Sequence, residues 1–231
     1  PGRRKALNLL KNKSFDSVIS VGLPFTSHLI GLACKNHSPA LSWHMDIEDP
    51  FSYSEEFFVN NSALYGKLNF RTERNAFLKS DSISLTVERA LTKYAGIFPE
   101  SKDKMSVIPP LFHLDLKDPQ DRIAEFERGK IHLSYIGTFY ENVRSPQSFL
   151  KILQHLLEHN QAIFKELRFH FFGEVNQKAK VIFDEFPELN HFFKFHGHVN
   201  RLKVSAALQQ SDFLINIGNT TDYHLPSKSV D

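Results

Sequence analysis

The sequence predicts an α/β protein of two domains that face each other across a cleft. Three observations carry this. Short β-rich runs alternate with helix-like stretches through both halves of the 231-residue chain, a pattern that builds parallel sheets through right-handed crossovers. A stretch rich in proline and aspartate, residues 109–120, separates two such series and reads as a linker. Each series is short for a complete sheet, so both domains are expected to be incomplete in this chain. The N-terminal domain is placed at residues 1–110, the linker at 111–130 and the C-terminal domain at 131–231.

In the first half, Ser17-Val-Ile-Ser-Val21 reads as a strand followed by Gly22. A helical stretch at 28–35 leads to a second strand at 40–44. A polar, acidic loop is expected at 46–56, and a longer helix at 62–79, with Leu64, Leu68, Ala76 and Phe77 as its apolar positions. Residues 82–87 read as a strand and 87–96 as a short helix with Gly96 placed as its C-terminal cap. A last strand at 105–108 ends at Pro109-Pro110. In the second half, a helix-like piece at 121–128 and Gly129 precede the strand at 131–136. A helix follows at 146–159, with Phe149, Leu150, Leu153, Leu156 and Leu157 on one face. Strands are expected at 167–172 and 193–196, each followed by glycine. A helix at 202–210 then leads to a buried strand at 213–217.

Composition excludes several classes. The chain is 41% hydrophobic and 23% charged, as ordinary globular domains are. It has no apolar run of membrane-spanning length. Its start, Pro-Gly-Arg-Arg-Lys, lacks the apolar core of a signal peptide, and the absence of an initial Met suggests a cut N-terminus. The one cysteine, Cys34, suits a reducing compartment, and the reading places the protein in the cytoplasm. A net charge of +2 is too small to argue for nucleic acid. The basic start (Arg3, Arg4, Lys5, Lys11, Lys13) reads as a solvated helix face; peripheral contact with anionic lipid at the inner face of the membrane is the alternative. The 22 phenylalanines cluster in strand-like runs and read as core.

Ligands in open parallel sheets bind beyond the carboxyl ends of the strands, so the residues there are the candidate site. Gly137-Thr138 follows the strand at 131–136. Seven residues past Gly137 stands Arg144, then Ser145 as a helix N-cap and Pro146 at the first helical position. Free backbone N–H groups, a partial positive charge and a guanidinium fork together make an anion site. Gly173-Glu174 and Gly197-His198 follow the next two strands, where glycine lets a ligand approach the backbone. After the strand at 213–217, Pro226 would begin another helix, with Ser227 and Lys228 offering N–H groups and an ammonium to a diphosphate. Asp231, one turn on, could accept hydrogen bonds from a ribose diol.

These residues resemble the C-terminal domain of the GT-B glycosyltransferases, most closely family 4. In that family a glycine-ended strand is followed within about seven residues by a basic residue on the diphosphate, as Gly137 and Arg144 would be. The family's Gly-Arg at the strand end is Gly137-Thr138 here, so one of its two usual cations is missing. Gly197-His-Val-Asn-Arg-Leu and the run into Ser211-Asp212 resemble the family's glycine, helix and strand start. Pro226-Ser-Lys-Ser-Val-Asp231 resembles the start of its donor-binding helix. The family has two glutamates eight positions apart. Asp231 matches the second, and Tyr223, beside Asp222, stands at the first. In the first half, Lys104-Met-Ser-Val-Ile-Pro-Pro110 and Ser80-Asp-Ser-Ile-Ser-Leu-Thr-Val87 resemble the end of the family's N-terminal domain.

The resemblance implies two Rossmann-like domains in the GT-B arrangement. It implies transfer of a hexose-type sugar from a nucleotide-diphosphate sugar to a glycan or lipid-linked acceptor, in surface polysaccharide or glycolipid synthesis, with retention and without a metal. The nucleotide sugar is then a co-substrate, and no cofactor is expected. His44 or Asp46, in the acidic stretch His44-Met-Asp46-Ile-Glu-Asp49, would serve the acceptor side as base. No metal ligand is assigned. His196 and His198 have alternate-residue spacing without a third ligand nearby, and His28, near the Gly22 turn, is a further candidate to face the cleft. The alternative from another class is a non-catalytic two-lobed ligand-binding protein. A dinucleotide-dependent oxidoreductase is disfavoured, since no Gly-x-Gly-x-x-Gly follows any strand.

Overall fold

The computed structural model describes residues 1–54, 60–109, 123–139 and 143–221. They fall into two compact units that divide at residue 110, each described below by itself.

The first unit is a four-stranded parallel sheet of β1 (Ser17–Gly22), β2 (Ser42–Ile47), β3 (Ser82–Leu85) and β4 (Met105–Val107), in the order β1-β2-β3-β4. Side chains alternate between faces along a strand. On β2, Trp43, Met45 and Ile47 enter the core, leaving His44 and Asp46 on the other face. The core is completed by Ile83, Leu85, Phe77 of α3 (Ser62–Lys79), Tyr94 of α4 (Glu88–Ile97) and Phe98. α2 (Thr26–His37) lies close to the sheet at Gly31, where a Cβ would come within 2.3 Å of Trp43 Nε1. Trp43 Nε1 donates to Ser20 Oγ (2.8 Å), so a large indole is buried with its polar atom satisfied. α1 (Gly2–Asn12) buries no residue, and its basic side chains are exposed.

A buried carboxylate, Glu73 of α3, pins the chain after β2. It accepts from the Ser52 backbone N–H (3.2 Å), the Ser52 hydroxyl and the Tyr94 hydroxyl (2.7 Å). Burial pushes its pKa up while these hydrogen bonds pull against it.

Two expectations for this unit change. β2 continues to Ile47, so Asp46 lies on a strand and not in a loop; pairing with both β1 and β3 extends the strand through it. Residues 55–56 of the expected loop lie outside the described residues. Gly96 is inside α4 and does not cap it. The helix runs on to Ile97 because Phe98 is fully buried, with its N–H bonded to the Tyr94 carbonyl (2.7 Å).

The second unit is also a four-stranded parallel sheet: β5 (Ile131–Ile136), β6 (Leu167–Phe172), β7 (Phe193–Gly197) and β8 (Phe213–Leu214), in the order β7-β6-β5-β8. Its helices are α5 (Gln147–His159), α6 (Gln161–Phe164), α7 (Gln177–Asp184) and α8 (Arg201–Gln210). The central strand β6 is buried on both faces, as a covered parallel strand should be. Phe139, Phe164, Phe169, Phe171, Phe183 and Phe193 form one aromatic core with Leu150 and Leu153 of α5. α7 carries no long apolar stripe. It is set by its Asn176 cap, whose Oδ1 accepts from Ala179 N (2.9 Å), and by burial of Ala179 and Phe183 one turn apart.

Two expectations change here as well. Residues 123–130 form turns and not a helix, because their side chains and carbonyls are taken up by the sheet beneath; residues 121–122 lie outside the described residues. The strand expected to be buried at 213–217 is assigned only at 213–214, and Phe213 and Leu214 are exposed. Among the described residues, β8 pairs with β5 alone, and of the residues at 213–217 Ile215 and Ile217 pack against the core.

Candidate functional site

The carboxyl ends of β5, β6 and β7 meet through three glycines. Gly137 N donates to the Phe172 carbonyl and Gly173 N to the Gly197 carbonyl, both at 2.9 Å. Gly173 has φ +131°, and a Cβ there would lie 2.1 Å from the Gly137 carbonyl oxygen. Only glycine allows that approach. The strand ends therefore present bare backbone to a ligand.

Around them stand the side chains expected from the sequence. Thr138 is half-buried, its carbonyl accepting from the Tyr135 hydroxyl (3.2 Å). Glu174 and His198 face each other across the β6 and β7 ends, His198 Nε2 to Glu174 Oε2 at 3.5 Å, both exposed. Such a pair adds little stability and leaves both groups accessible. Glu174 and His198, with Gly173 and Gly197, line a cavity of about 850 Å³ bounded also by Phe183, Phe195 and Lys180, a volume in the range of small-molecule sites.

Arg144 sits at the other side of this edge, just ahead of α5. The Ser145 hydroxyl accepts from Gln147 N (3.2 Å) and Pro146 is already helical in φ and ψ, which opens the helix as expected. Arg144 Nε donates to Asn219 Oδ1 (2.9 Å), while Thr220 N donates to the Val143 carbonyl (2.7 Å). The segment after β8 thus holds the guanidinium by one edge. Among the described residues, its terminal N–H groups have no hydrogen-bond partner. Pro226, Ser227, Lys228 and Asp231 lie outside the described residues.

A further arrangement occupies one face of this sheet, which the sequence did not disclose. His132 on β5, His170 on β6 and His196 on β7 form a continuous hydrogen-bonded row. His132 Nδ1 to His170 Nε2 is 2.9 Å, and His170 Nδ1 to His196 Nε2 is 3.0 Å. The row is diagonal: His132 pairs in register with Arg168, and His170 with Lys194, so each step advances two residues. His132 Nε2 lies 2.9 Å from the Glu127 carbonyl, which can only accept. The neutral row is therefore one-directional, each ring donating from Nε2 and accepting at Nδ1. His196 Nδ1 ends it, 3.8 Å from Glu125 Oε1. Burial first, then the neighbouring histidines, pushes His170 down to about 3; burial pushes His196 down to about 4. Phe126 stacks on His132 (ring centres 4.4 Å apart, 7° between planes), and Arg168 grips the Glu127 carboxylate at 2.9 and 3.0 Å. Residues 123–130 are in this way strapped onto the sheet. β5, β6 and β7 each carry one histidine on the same face, but that becomes visible only once strand order and register are known. His196 and His198 accordingly diverge, His196 into the row and His198 to the exposed strand end.

In the first unit, His44 and Asp46 share a face with Ser82 and Ser84. His44 Nδ1 is 2.7 Å from Ser82 Oγ and Nε2 is 2.9 Å from Ser84 Oγ, and the Ser84 hydroxyl donates to Asp46 Oδ1. Since a carboxylate only accepts, Ser84 receives its other bond from His44 Nε2–H; in the neutral imidazole Ser82 then donates to His44 Nδ1. Both nitrogens of His44 are thus engaged by serines. His28 does not face a cleft: it is 1% exposed, with Nδ1 2.8 Å from Ser20 Oγ. Burial, only partly opposed by the charge of Asp46, holds its pKa down to about 4.

No family model matches the sequence, and no curated protein matches it. Solved structures do share its fold. A UDP-forming α,α-trehalose-phosphate synthase from Burkholderia xenovorans superposes with a TM-score of 0.69 at 10% identity, over 98% of this chain and 58% of that one. Anabaena HepE, in complex with UDP and glucose, gives 0.59 at 10% identity, over 92% and 54%. A chain from Listeria monocytogenes assigned as a UDP-N-acetylglucosamine 2-epimerase gives 0.51 at 11% identity, over 92% and 55%. The chain has the GT-B fold, as its sequence led us to expect, and spans about half the length of these proteins.

Proposed function

We propose that this chain belongs to a nucleotide-sugar-dependent glycosyltransferase that moves a hexose-type sugar to a glycan or lipid-linked acceptor. The observation that carries the reading is Arg144, held by Asn219 at the start of α5, beside strand ends stripped to glycine. In this reading Arg144 and the α5 N–H groups bind the leaving diphosphate and stabilise its charge as the glycosidic bond breaks. No metal is called on for this. Gly137, Thr138, Gly173 and Gly197 receive the donor along the backbone, with Glu174 and His198 contacting its polar groups. Pro226 follows Thr220 by six residues, a reach of up to about 20 Å, so Ser227 and Lys228 are close enough in sequence to complete the diphosphate site and Asp231 to hold the ribose. Binding of UDP and glucose by HepE, which has the same fold, supports this choice of ligand.

Asp46 is the acceptor-side candidate in the first unit, positioned by Ser84 and by His44 through it. Retention at the anomeric carbon and a role in surface polysaccharide or glycolipid synthesis are part of the proposal. So is a cytoplasmic location, with the exposed basic side chains of α1 available to anionic lipid. No helix among the described residues is long and apolar enough to cross a membrane. The Listeria epimerase gives a second reading, in which the same donor site serves rearrangement of the sugar without transfer.

Calorimetry with UDP, GDP and ADP tests the site. Binding of one nucleotide, lost in Arg144→Ala, supports the reading and names the base; no binding to any overturns it. Sugar transfer to an acceptor, against epimerisation of the donor alone, separates the two activities.

A further inference from the structure

We propose that the last turn of α5 binds one divalent transition-metal ion through His155, Glu158 and His159. This site lies on the exposed side of the second unit's helix layer and is independent of the nucleotide reading.

The sequence His155-Leu-Leu-Glu-His159 places two histidines at i and i+4 and a carboxylate at i+3, on one arc of a helix. The structure brings them together. One ligand atom from each lies within 4.8 Å of the others, and all three side chains are exposed. The imidazole rings are packed with centres 4.0 Å apart and planes tilted by 32°. A tetrahedral ion with bonds near 2.1 Å needs donor atoms about 3.4 Å apart, a small closure for unhindered side chains.

Two features prepare the site. His159 Nδ1 lies 2.8 Å from the His155 carbonyl. A carbonyl can only accept, so Nδ1 carries the proton and Nε2 presents its lone pair outward. Metal-binding histidines are commonly fixed through their second nitrogen in this way. The site also occupies the C-terminal end of a 13-residue helix, where unpaired carbonyls favour a cation.

The donor set selects the ion. Two imidazoles and one carboxylate suit Zn²⁺, Ni²⁺ and Cu²⁺ and disfavour Mg²⁺ and Ca²⁺, which want oxygen ligands. Three protein ligands leave further coordination positions to water. The buried row at His132, His170 and His196 is a poor competitor, because five of its six ring nitrogens are hydrogen-bonded and only His196 Nδ1 is left over.

Calorimetry with Zn²⁺ and Ni²⁺ on the whole chain at neutral pH tests the proposal, with Mg²⁺ as control. One equivalent of Zn²⁺ or Ni²⁺ should bind, with none of Mg²⁺. His155→Ala and His159→Ala should each weaken binding at least about ten-fold, since even loss of an outer-shell partner costs that much. His198→Ala should leave it unchanged. Both histidines are on the surface, so circular dichroism should show the variants folded. Failure of Zn²⁺ and Ni²⁺ to bind, or binding that survives in the double variant, would overturn the assignment.

Discussion

The carbonyl oxygen of Gly137 lies 2.1 Å from the point where a side chain on Gly173 would begin. Two neighbouring strands come this close only because the second ends in glycine at φ +131°. Gly173→Ala combines an unfavourable backbone region, about 1–3 kcal/mol, with a clash against backbone that cannot turn aside. We expect a loss of at least that size in chemical denaturation of the second unit, and weaker nucleotide binding in the fraction that still folds. An alanine variant as stable as the parent would show that β5 and β6 can separate at this edge.

Arg144 should act through its fork as well as its charge. Arg144→Ala removes charge-assisted hydrogen bonds worth about 1.5–3 kcal/mol, or roughly ten- to a hundred-fold in nucleotide affinity. Arg144→Lys keeps the charge but has no planar fork to hold Asn219 and a phosphate at once. It should recover only part of the binding. Full recovery by lysine would mean that the Asn219 contact does not position the group.

Glu73 is a stability residue. Glu73→Ala leaves the Ser52 N–H, the Ser52 hydroxyl and the Tyr94 hydroxyl without their shared acceptor in a buried setting. Each orphaned group costs about 1–3 kcal/mol, so a loss of about 3 kcal/mol or more is expected for the first unit. A urea titration followed by the single Trp43 reads it directly.

Acid should weaken the protein through its buried histidines, opposed by Glu48 and Glu73, whose carboxyl pKa values burial raises. His28, His170 and His196 fall from an ordinary 6.5 to about 4, 3 and 4. Between 6.5 and these values the unfolded chain takes up protons that the folded one refuses. Their contribution is complete above pH 6.5 and is lost as pH falls towards 4. Each proton carries at most about 1.4 kcal/mol per pH unit. Asp81 and Glu127, whose pKa values are lowered with the help of hydrogen bonds from Lys35 and Arg168, act in the same direction but only at lower pH. His170→Gln keeps one donor and one acceptor, and should make the slope of denaturation midpoint against pH shallower between 6 and 4.5.

Much of the architecture was legible because it rests on local pattern. Alternation fixed the strands, and the glycines at 137, 173 and 197 marked their ends. Ser145-Pro146 announced the start of α5. What escaped depended on neighbours distant in sequence. Asp46 reads as loop until β1 and β3 are known to flank it. Residues 123–130 have helical composition but spend it on contacts with Arg168 and His132. Phe213 and Leu214 look like core, yet both are exposed, and among the described residues β8 pairs on one side only. His28 is drawn inward by Ser20, which no spacing rule would reveal.

The histidine row has a consequence beyond its stability. When all three rings are neutral each has one proton to give, so the three tautomers cannot be chosen separately. The Glu127 carbonyl chooses for His132, His132 for His170, and His170 for His196. The β-sheet face stores a single binary setting, written at β5 and read at β7, and a change in the strap at residue 127 would reach a ring two strands away without any strand having to move.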